Sequence, residues 1–280
     1  MNVYISVDME GCSGVVHREQ TNPVGFDYEV GRAAMTAEAN AAVAGAFDAG
    51  ATRVVVSDSH GGNGMRNIRL PELDPRAELI SGPPRWLGQL EGIDGGFDAL
   101  LMVGYHTRHG RAGVLSHTMN GQAIADLWVN DRVVGEGGIN AYLAGSFGVP
   151  TVLVTGDDLT AAEAERDCPG CETVAVKWAL GRYAARHLGT QVACEKIRAA
   201  AAGALARRSE IAPTTTSSPV TIRLRYKDTG SAEAALRLVG ARQVDDDCIE
   251  FTGGSMAEAH AGYSIAVEAW LPAWGSWING

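Results

Sequence analysis

The chain has 280 residues, with 33 acidic against 23 basic side chains and a formal net charge of −10 at pH 7. That balance, without a cluster of five or more Lys/Arg, argues against a nucleic-acid or anionic-membrane partner but not against metals or cationic ligands. No apolar run approaches the roughly 18 residues that span a bilayer, no leader is expected because Asp8 interrupts the first apolar run, and five sparse cysteines suit a reducing, cytoplasmic location.

In chain order, "VYISVD" (3–8) suits a buried strand. Residues 29–49 place Met35, Ala39, Ala42, Val43, Ala46 and Phe47 on one face of a helix closed by Gly50. "TRVVVSDSHGG" (52–62), "FDALLMVGYH" (97–106) and "VPTVLVTGDD" (149–158) predict three more buried strands. "IADLWVNDRVVGEGG" (124–138) alternates on either side of Asn130-Asp131, a β-hairpin pattern. Residues 160–208 are Ala/Glu/Arg-rich and predict a mostly helical stretch in at least two pieces, broken near "DCPGC" and Gly189. After the linker-like "APTTTSSP" (212–219) come a strand ("VTIRLRY"), a helix ("SAEAALRLVG") and a strand ("DDCIEFTGG"). The fold class expected is α/β: a mainly parallel central sheet flanked by helices, with a β-hairpin insertion and a smaller C-terminal α+β subdomain. The expected division is a metal-binding catalytic domain over 1–211 and the subdomain over 219–280.

Three predicted strands end in ionisable residues that packing does not require. The first ends at Asp8 and Glu10, which share a face of extended chain; the second at Asp58 and His60; the third at His106. In open α/β sheets ligands bind beyond the carboxyl ends of the strands, so neighbouring strands would gather these groups in one crevice. Unneutralised carboxylates there would raise one another's pKa, and a divalent cation removes the conflict. Glu136, set among Gly135, Gly137 and Gly138, adds a third acid. Three carboxylates and two histidines exceed one tetrahedral zinc and suit a two-metal site with a bridging carboxylate. No single spacing here is diagnostic, so a metal site and unrelated turn residues both stay open at this point. His117 in "GVLSHTMNG" is either a proton-moving group at the same mouth or a hydrogen-bonded turn residue.

The motifs "SVDMEG", "SDSHGGNGMRN", "GYHTRHG", "GVLSHTMNG" and "LWVNDRVVGEGGINA" resemble, in order, those of the dinuclear-zinc D-aminopeptidase family. Looser similarity ("VTGDD", "VKWALGRYAA") continues to about residue 187. The resemblance implies two Zn2+ ions per chain, with Asp8 bridging them. Glu10 and His106 would complete one site, and His60 and Glu136 the other. It implies His117 as the catalytic residue, for which a proton shuttle or oxyanion partner is preferred here over direct attack. It implies hydrolysis of the N-terminal residue of short, D-Ala-type peptides or amides, and a homo-oligomer, a decamer enclosing its active sites. Two other readings remain compatible with the residues. One is a metal-dependent amidohydrolase acting on a different amino-acid amide or modified peptide; the other is a non-enzymatic metal-binding assembly protein.

Other residues have plainer readings. Asp58 is either a carboxylate orienting a ligand or a turn cap, and Asn63, Arg66 and Asn67 either line the pocket or make a tight loop. Asn120 suits a turn, Asp157 and Asp158 a helix N-cap, and Cys168 with Cys171 a structural rather than redox role. Cys12 adjoins the proposed site without being needed there. His17, His109, His187 and His260 belong to no constellation, and Trp270, Trp274 and Trp277 suit either an interface or a core.

Overall fold

A strand buried on both faces needs apolar residues at successive positions rather than at alternate ones, and β1 (Asn2–Val7) meets that condition from Val3 onward. The computed structural model describes residues 1–268. After β1 come α1 (Arg18–Thr21), α2 (Tyr28–Asp48), β2 (Arg53–Asp58), β3 (Glu78–Ile80), β4 (Ala99–Val103), β5 (Ile124–Val129) and β6 (Arg132–Val134). Then follow α3 (Glu136–Ser146), β7 (Thr151–Asp157), α4 (Asp158–Asp167), β8 (Glu172–Gly181), β9 (Ala184–His187) and α5 (Thr190–Ala206). The last elements are β10 (Val220–Tyr226), α6 (Thr229–Ala235), β11 (Arg242–Asp245), β12 (Cys248–Gly253) and α7 (Met256–Glu268).

The chain forms two compact units. The first comprises residues 1–107, 111–116 and 136–215. Its sheet runs β3-β2-β1-β4-β7-β8-β9, parallel throughout except for the terminal β9. Val3, Ile5 and Val7 share a core with Met35, Ala39 and Val43 of α2 and Ile197 and Ala201 of α5. The two helices approach closely at Gly45, where a Cβ would lie 2.8 Å from the Ala201 Cβ and press on the Arg198 carbonyl. Tyr4 points the other way and packs edge-on against Phe97, with ring centroids 5.1 Å apart. The α/β class and the mainly parallel sheet expected from the sequence are observed.

The second unit comprises residues 108–110, 117–135 and 216 onward. Its antiparallel sheet runs β11-β12-β10-β5-β6. In β10, Val220, Ile222, Leu224 and Tyr226 are buried at alternate positions, and the Tyr226 hydroxyl donates to the Ala266 carbonyl of α7 at 2.7 Å. The predicted hairpin forms as β5 and β6, with Asn130 in the left-handed region (φ 51°) at its turn. The segment that carries it interrupts the first unit in sequence and pairs within the second, β5 with β10 along Ile222↔Val129 to Tyr226↔Ile124.

One segment departs from its predicted type. Residues 172–187, expected as helix, form the strands β8 and β9. Their Ala and Arg content favours helix only weakly, while pairing of β8 with β7 extends the sheet and buries Val174 and Val176. Trp270, Trp274 and Trp277 lie outside the described residues.

Candidate metal centre

Sheet order determines which side chains meet. β1 lies between β2 and β4, with Val7 opposite both Asp58 and Val103. Past its last paired residue the chain stays against β4: the Asp8 amide donates to the Val103 carbonyl (2.8 Å) and the Gly11 amide to the Gly104 carbonyl (2.7 Å). Gly104 has φ +71°, and a Cβ there would press on the Asp8 carbonyl and lie 2.7 Å from the Cys12 sulfur. A side chain at 104 would therefore displace the loop that carries Asp8 and Glu10.

Asp8 projects between its two neighbours. Its Oδ1 lies 3.3 Å from His60 Nδ1, and Glu10 Oε2 lies 3.0 Å from the same nitrogen. Its Oδ2, which accepts no hydrogen bond, lies 3.3 Å from His106 Nε2, and Glu136 Oε1 is 3.2 Å from that nitrogen. All five side chains are buried. The grouping differs from the one the resemblance implied: Glu10 adjoins His60 rather than His106, and Glu136 adjoins His106 rather than His60. The cause is strand order, because β2 and β4 flank β1 on opposite sides.

The far nitrogen of each histidine indicates its tautomer. His60 Nε2 is 2.7 Å from the Thr21 carbonyl and His106 Nδ1 is 3.0 Å from the Thr107 carbonyl. A carbonyl only accepts, so each of these nitrogens carries a proton. In a neutral ring the other nitrogen then presents a lone pair to two carboxylate oxygens, which repels unless a cation sits among them. Ligand histidines are anchored in this way. Without a cation the site compensates by holding protons. Burial, then Glu10, pushes the Asp8 carboxyl up. Burial acts to lower both histidines, but the carboxylates hold them well above the usual range: Glu10 and Asp8 for His60, Glu136 and Asp8 for His106. The donor set fits divalent metal.

Supporting residues that the sequence did not single out complete this region. Gln89 Nε2 donates to Glu136 Oε2 (2.6 Å), and Asn140 Nδ2 donates to Gln89 Oε1 (2.6 Å) and to the Tyr105 hydroxyl (2.9 Å). That hydroxyl shares a 2.6 Å hydrogen bond with Ser6, which shares another with Ser59. Asn140 stands one helical turn after Glu136, the spacing that could have revealed it. Below the 8–15 loop, Lys177 Nζ donates to the carbonyls of Glu10 (2.5 Å), Cys12 (2.9 Å) and Val15 (2.7 Å). Glu38 Oε1 accepts the Ser13 amide at 2.7 Å. Burial draws the Lys177 ammonium down to about 8 and pushes the Glu38 carboxyl up to about 7. A lone lysine inside the apolar run "TVAVKW" was the available signal.

Asp58 caps a turn: it accepts the Asn67 and Ile68 amides, and Asn67 in turn donates to the His60 carbonyl (2.6 Å). Asn63 and Arg66 bond each other within the loop. Asp157 caps α4 through the Thr160 amide and also accepts the Val114 amide, both at 2.7 Å. Asn120 makes a turn, its Oδ1 accepting the Gln122 amide. His17 caps α1, His187 accepts the Gly14 amide, the His109 amide donates to Thr118, and buried His260 packs on Tyr263. Cys168 and Cys171 begin and end a turn closed by the Cys171 amide on the Cys168 carbonyl, with Gly170 at φ +88°. His117 belongs to the second unit, where a Cβ on Gly121 would lie 3.1 Å from its own Cβ.

A family model described as D-aminopeptidase (peptidase family M55) matches residues 1–264. The chain belongs to the D-aminopeptidase family. A Bacillus subtilis D-aminopeptidase is 36% identical over 269 residues, covering 96% of this chain and 97% of that protein. A solved structure, the zinc-dependent D-aminopeptidase DppA from Bacillus subtilis, described as a self-compartmentalizing protease, superposes with a TM-score of 0.92. It is 36% identical, and the match covers 96% of this chain and 97% of that one. Membership in this family makes the chain a hydrolase of the aminopeptidase class.

Proposed function

We propose that this family member is a zinc-dependent aminopeptidase that removes the N-terminal residue of short D-amino-acid peptides or amides. Two zinc ions per chain would be held by Asp8 with Glu10 and His60 on one side, and by Asp8 with His106 and Glu136 on the other. The observation that carries this reading is the pair of buried imidazoles, each anchored by one nitrogen on a main-chain carbonyl and turning the other toward two carboxylate oxygens. When bound, the metal pair supplies Lewis acidity toward a carbonyl oxygen and toward water at neutral pH.

The chain's own residues do the rest. Asp8 turns Oδ1 toward His60 and Oδ2 toward His106, and would so be shared by both metal positions. Gln89 donates to Glu136 Oε2 and thereby aims Oε1 at the centre. His117, assigned from its motif, carries a proton between the attacking water and the leaving amine, or donates to the developing oxyanion. Homo-oligomer formation, a decamer by the family resemblance, is supported by the self-compartmentalizing description of the solved relative. Five unbridged cysteines support a cytoplasmic location.

Metal analysis of a chelator-free preparation, coupled to a panel of D- and L-Ala dipeptides and amides, tests the reading. Two zinc ions per chain with cleavage of D-Ala dipeptides is the expected result. A metal-free active protein overturns the metal assignment, and cleavage confined to L-peptides overturns the stereochemical one.

A further inference from the structure

We infer that Lys177 is a positioning residue for the centre: its ammonium gathers three carbonyls of the 8–15 loop and so holds Glu10 in place to bind metal beside His60. The inference rests on the two-zinc reading given above.

The geometry is specific. An ammonium has three protons to donate, and Lys177 Nζ has three main-chain acceptors, the carbonyls of Glu10, Cys12 and Val15. The lysine has no exposed surface. It reaches the loop from β8, which lies two strands beyond β4 and three from β1. The β7–β8 pairing shifts register between Gly156 and Asp157, so that Asp157 stands opposite Lys177. That irregularity accompanies two consecutive buried side chains, Val176 in the core and Lys177 under the loop.

The nature of the bond matters as much as its number. A side chain that bonds a ligand carboxylate orients that carboxylate alone. Lys177 bonds the carbonyl of Glu10 itself and two carbonyls further along, which fixes the path of the backbone from which Glu10 projects. Besides the main-chain bonds from Asp8 and Gly11 to β4 and Gly104, other contacts fasten the same loop: Glu38 accepts the Ser13 amide (2.7 Å), Ser13 Oγ donates to the Leu188 carbonyl (2.7 Å), and His187 accepts the Gly14 amide (2.9 Å). Of all these, Lys177 bonds the main chain at Glu10 itself. A buried ammonium is costly to desolvate, so a residue serving only to fill space at this position would be apolar. Loss of Lys177 should therefore weaken metal on the Glu10–His60 side while leaving the His106–Glu136 side, which rests on Gln89 and Asn140.

The test is zinc binding rather than turnover. Wild type, Lys177→Met, Lys177→Gln, Glu10→Gln and the Glu10→Gln/Lys177→Gln double variant are equilibrated across zinc buffers, and bound zinc is counted. Cobalt absorption is recorded in parallel, and the metal-free proteins are melted. Wild type is expected to bind two zinc ions. Lys177→Gln, which keeps two donors, is expected to keep one and bind the second about tenfold or more weakly. The double variant should lose no more than Glu10→Gln alone, because both changes act on one position. If Lys177→Met does not fold, Lys177→Gln decides the matter. Two zinc ions at wild-type affinity in Lys177→Gln, with only the metal-free melting temperature lowered, make Lys177 a core residue and overturn the inference. Additive losses in the double variant overturn it as well. Fewer than two zinc ions in wild type overturns the two-zinc reading, and the inference with it.

Discussion

The two sides of the centre offer the same chemistry, one carboxylate and one imidazole around different oxygens of Asp8, yet they are built from different material. The Glu10–His60 side depends on main chain: the Thr21 carbonyl fixes the ring, and Lys177 and Glu38 hold the loop through its carbonyls and an amide. The His106–Glu136 side depends on a side-chain relay from Glu136 through Gln89, Asn140 and Tyr105 to Ser6. A side built on backbone tolerates many substitutions within the loop but not a change in loop length. A side built on a relay is exposed to any single substitution along it.

The largest effect breaks the comparison outright. Asp8→Ala removes the group common to both sides, so bound zinc should fall below one per chain and peptide hydrolysis by on the order of 10³-fold; elemental analysis and a dipeptide assay check both. Next, His117→Ala separates catalysis from metal binding. Turnover should drop by about 10²-fold with two zinc ions still bound, and unchanged turnover would remove His117 from the mechanism. Smaller and one-sided, Gln89→Leu frees Glu136 from its donor and should weaken one zinc by about tenfold, seen as a single displaced phase in a zinc titration.

The smallest effect concerns the loop's support rather than its ligands. Burial lifts Glu38 from 4.5 to about 7. The unfolded chain therefore ionises this residue first, and as pH rises from 4.5 to 7 the folded state binds the extra proton, so stability falls across that window. Glu38→Gln keeps the acceptor for the Ser13 amide and removes the ionisation. Metal-free Glu38→Gln should be more stable than wild type by up to roughly 3 kcal/mol at pH 8, with the gain vanishing toward pH 4. Thermal melts of the EDTA-treated proteins across that range measure it, and a gain independent of pH would exclude Glu38 ionisation as the cause.

Much of this architecture was legible in the sequence because strand ends advertise themselves. Asp8, Glu10, His60 and His106 each follow an apolar run, and a parallel sheet brings such ends together. Which residues would pair was not legible, because pairing depends on strand order, and nothing in "VDMEG" or "DSHG" states that β1 lies between β2 and β4. Residues 172–187 are strand where their Ala and Arg favour helix locally, because the sheet's open edge beside β7 favours strand. Gln89 carries no local pattern, because it acts through a partner far away in the chain, and the lone lysine in "TVAVKW" marks a buried cation without saying which carbonyls it meets. The hairpin's shape was evident from Asn130-Asp131, but its membership in the second unit depended on β10, some 90 residues later.

Chain separation has a consequence for how the centre comes into being. Asp8 and His60 are 52 residues apart in the chain, and His106 and Glu136 lie farther still. Before β2 and β4 have docked on either side of β1, only Asp8 and Glu10 are near each other. Unlike a small domain that folds around its ion, this chain must close its sheet first. On the metal reading proposed above, the rate of zinc uptake during refolding would report when the three central strands have come together.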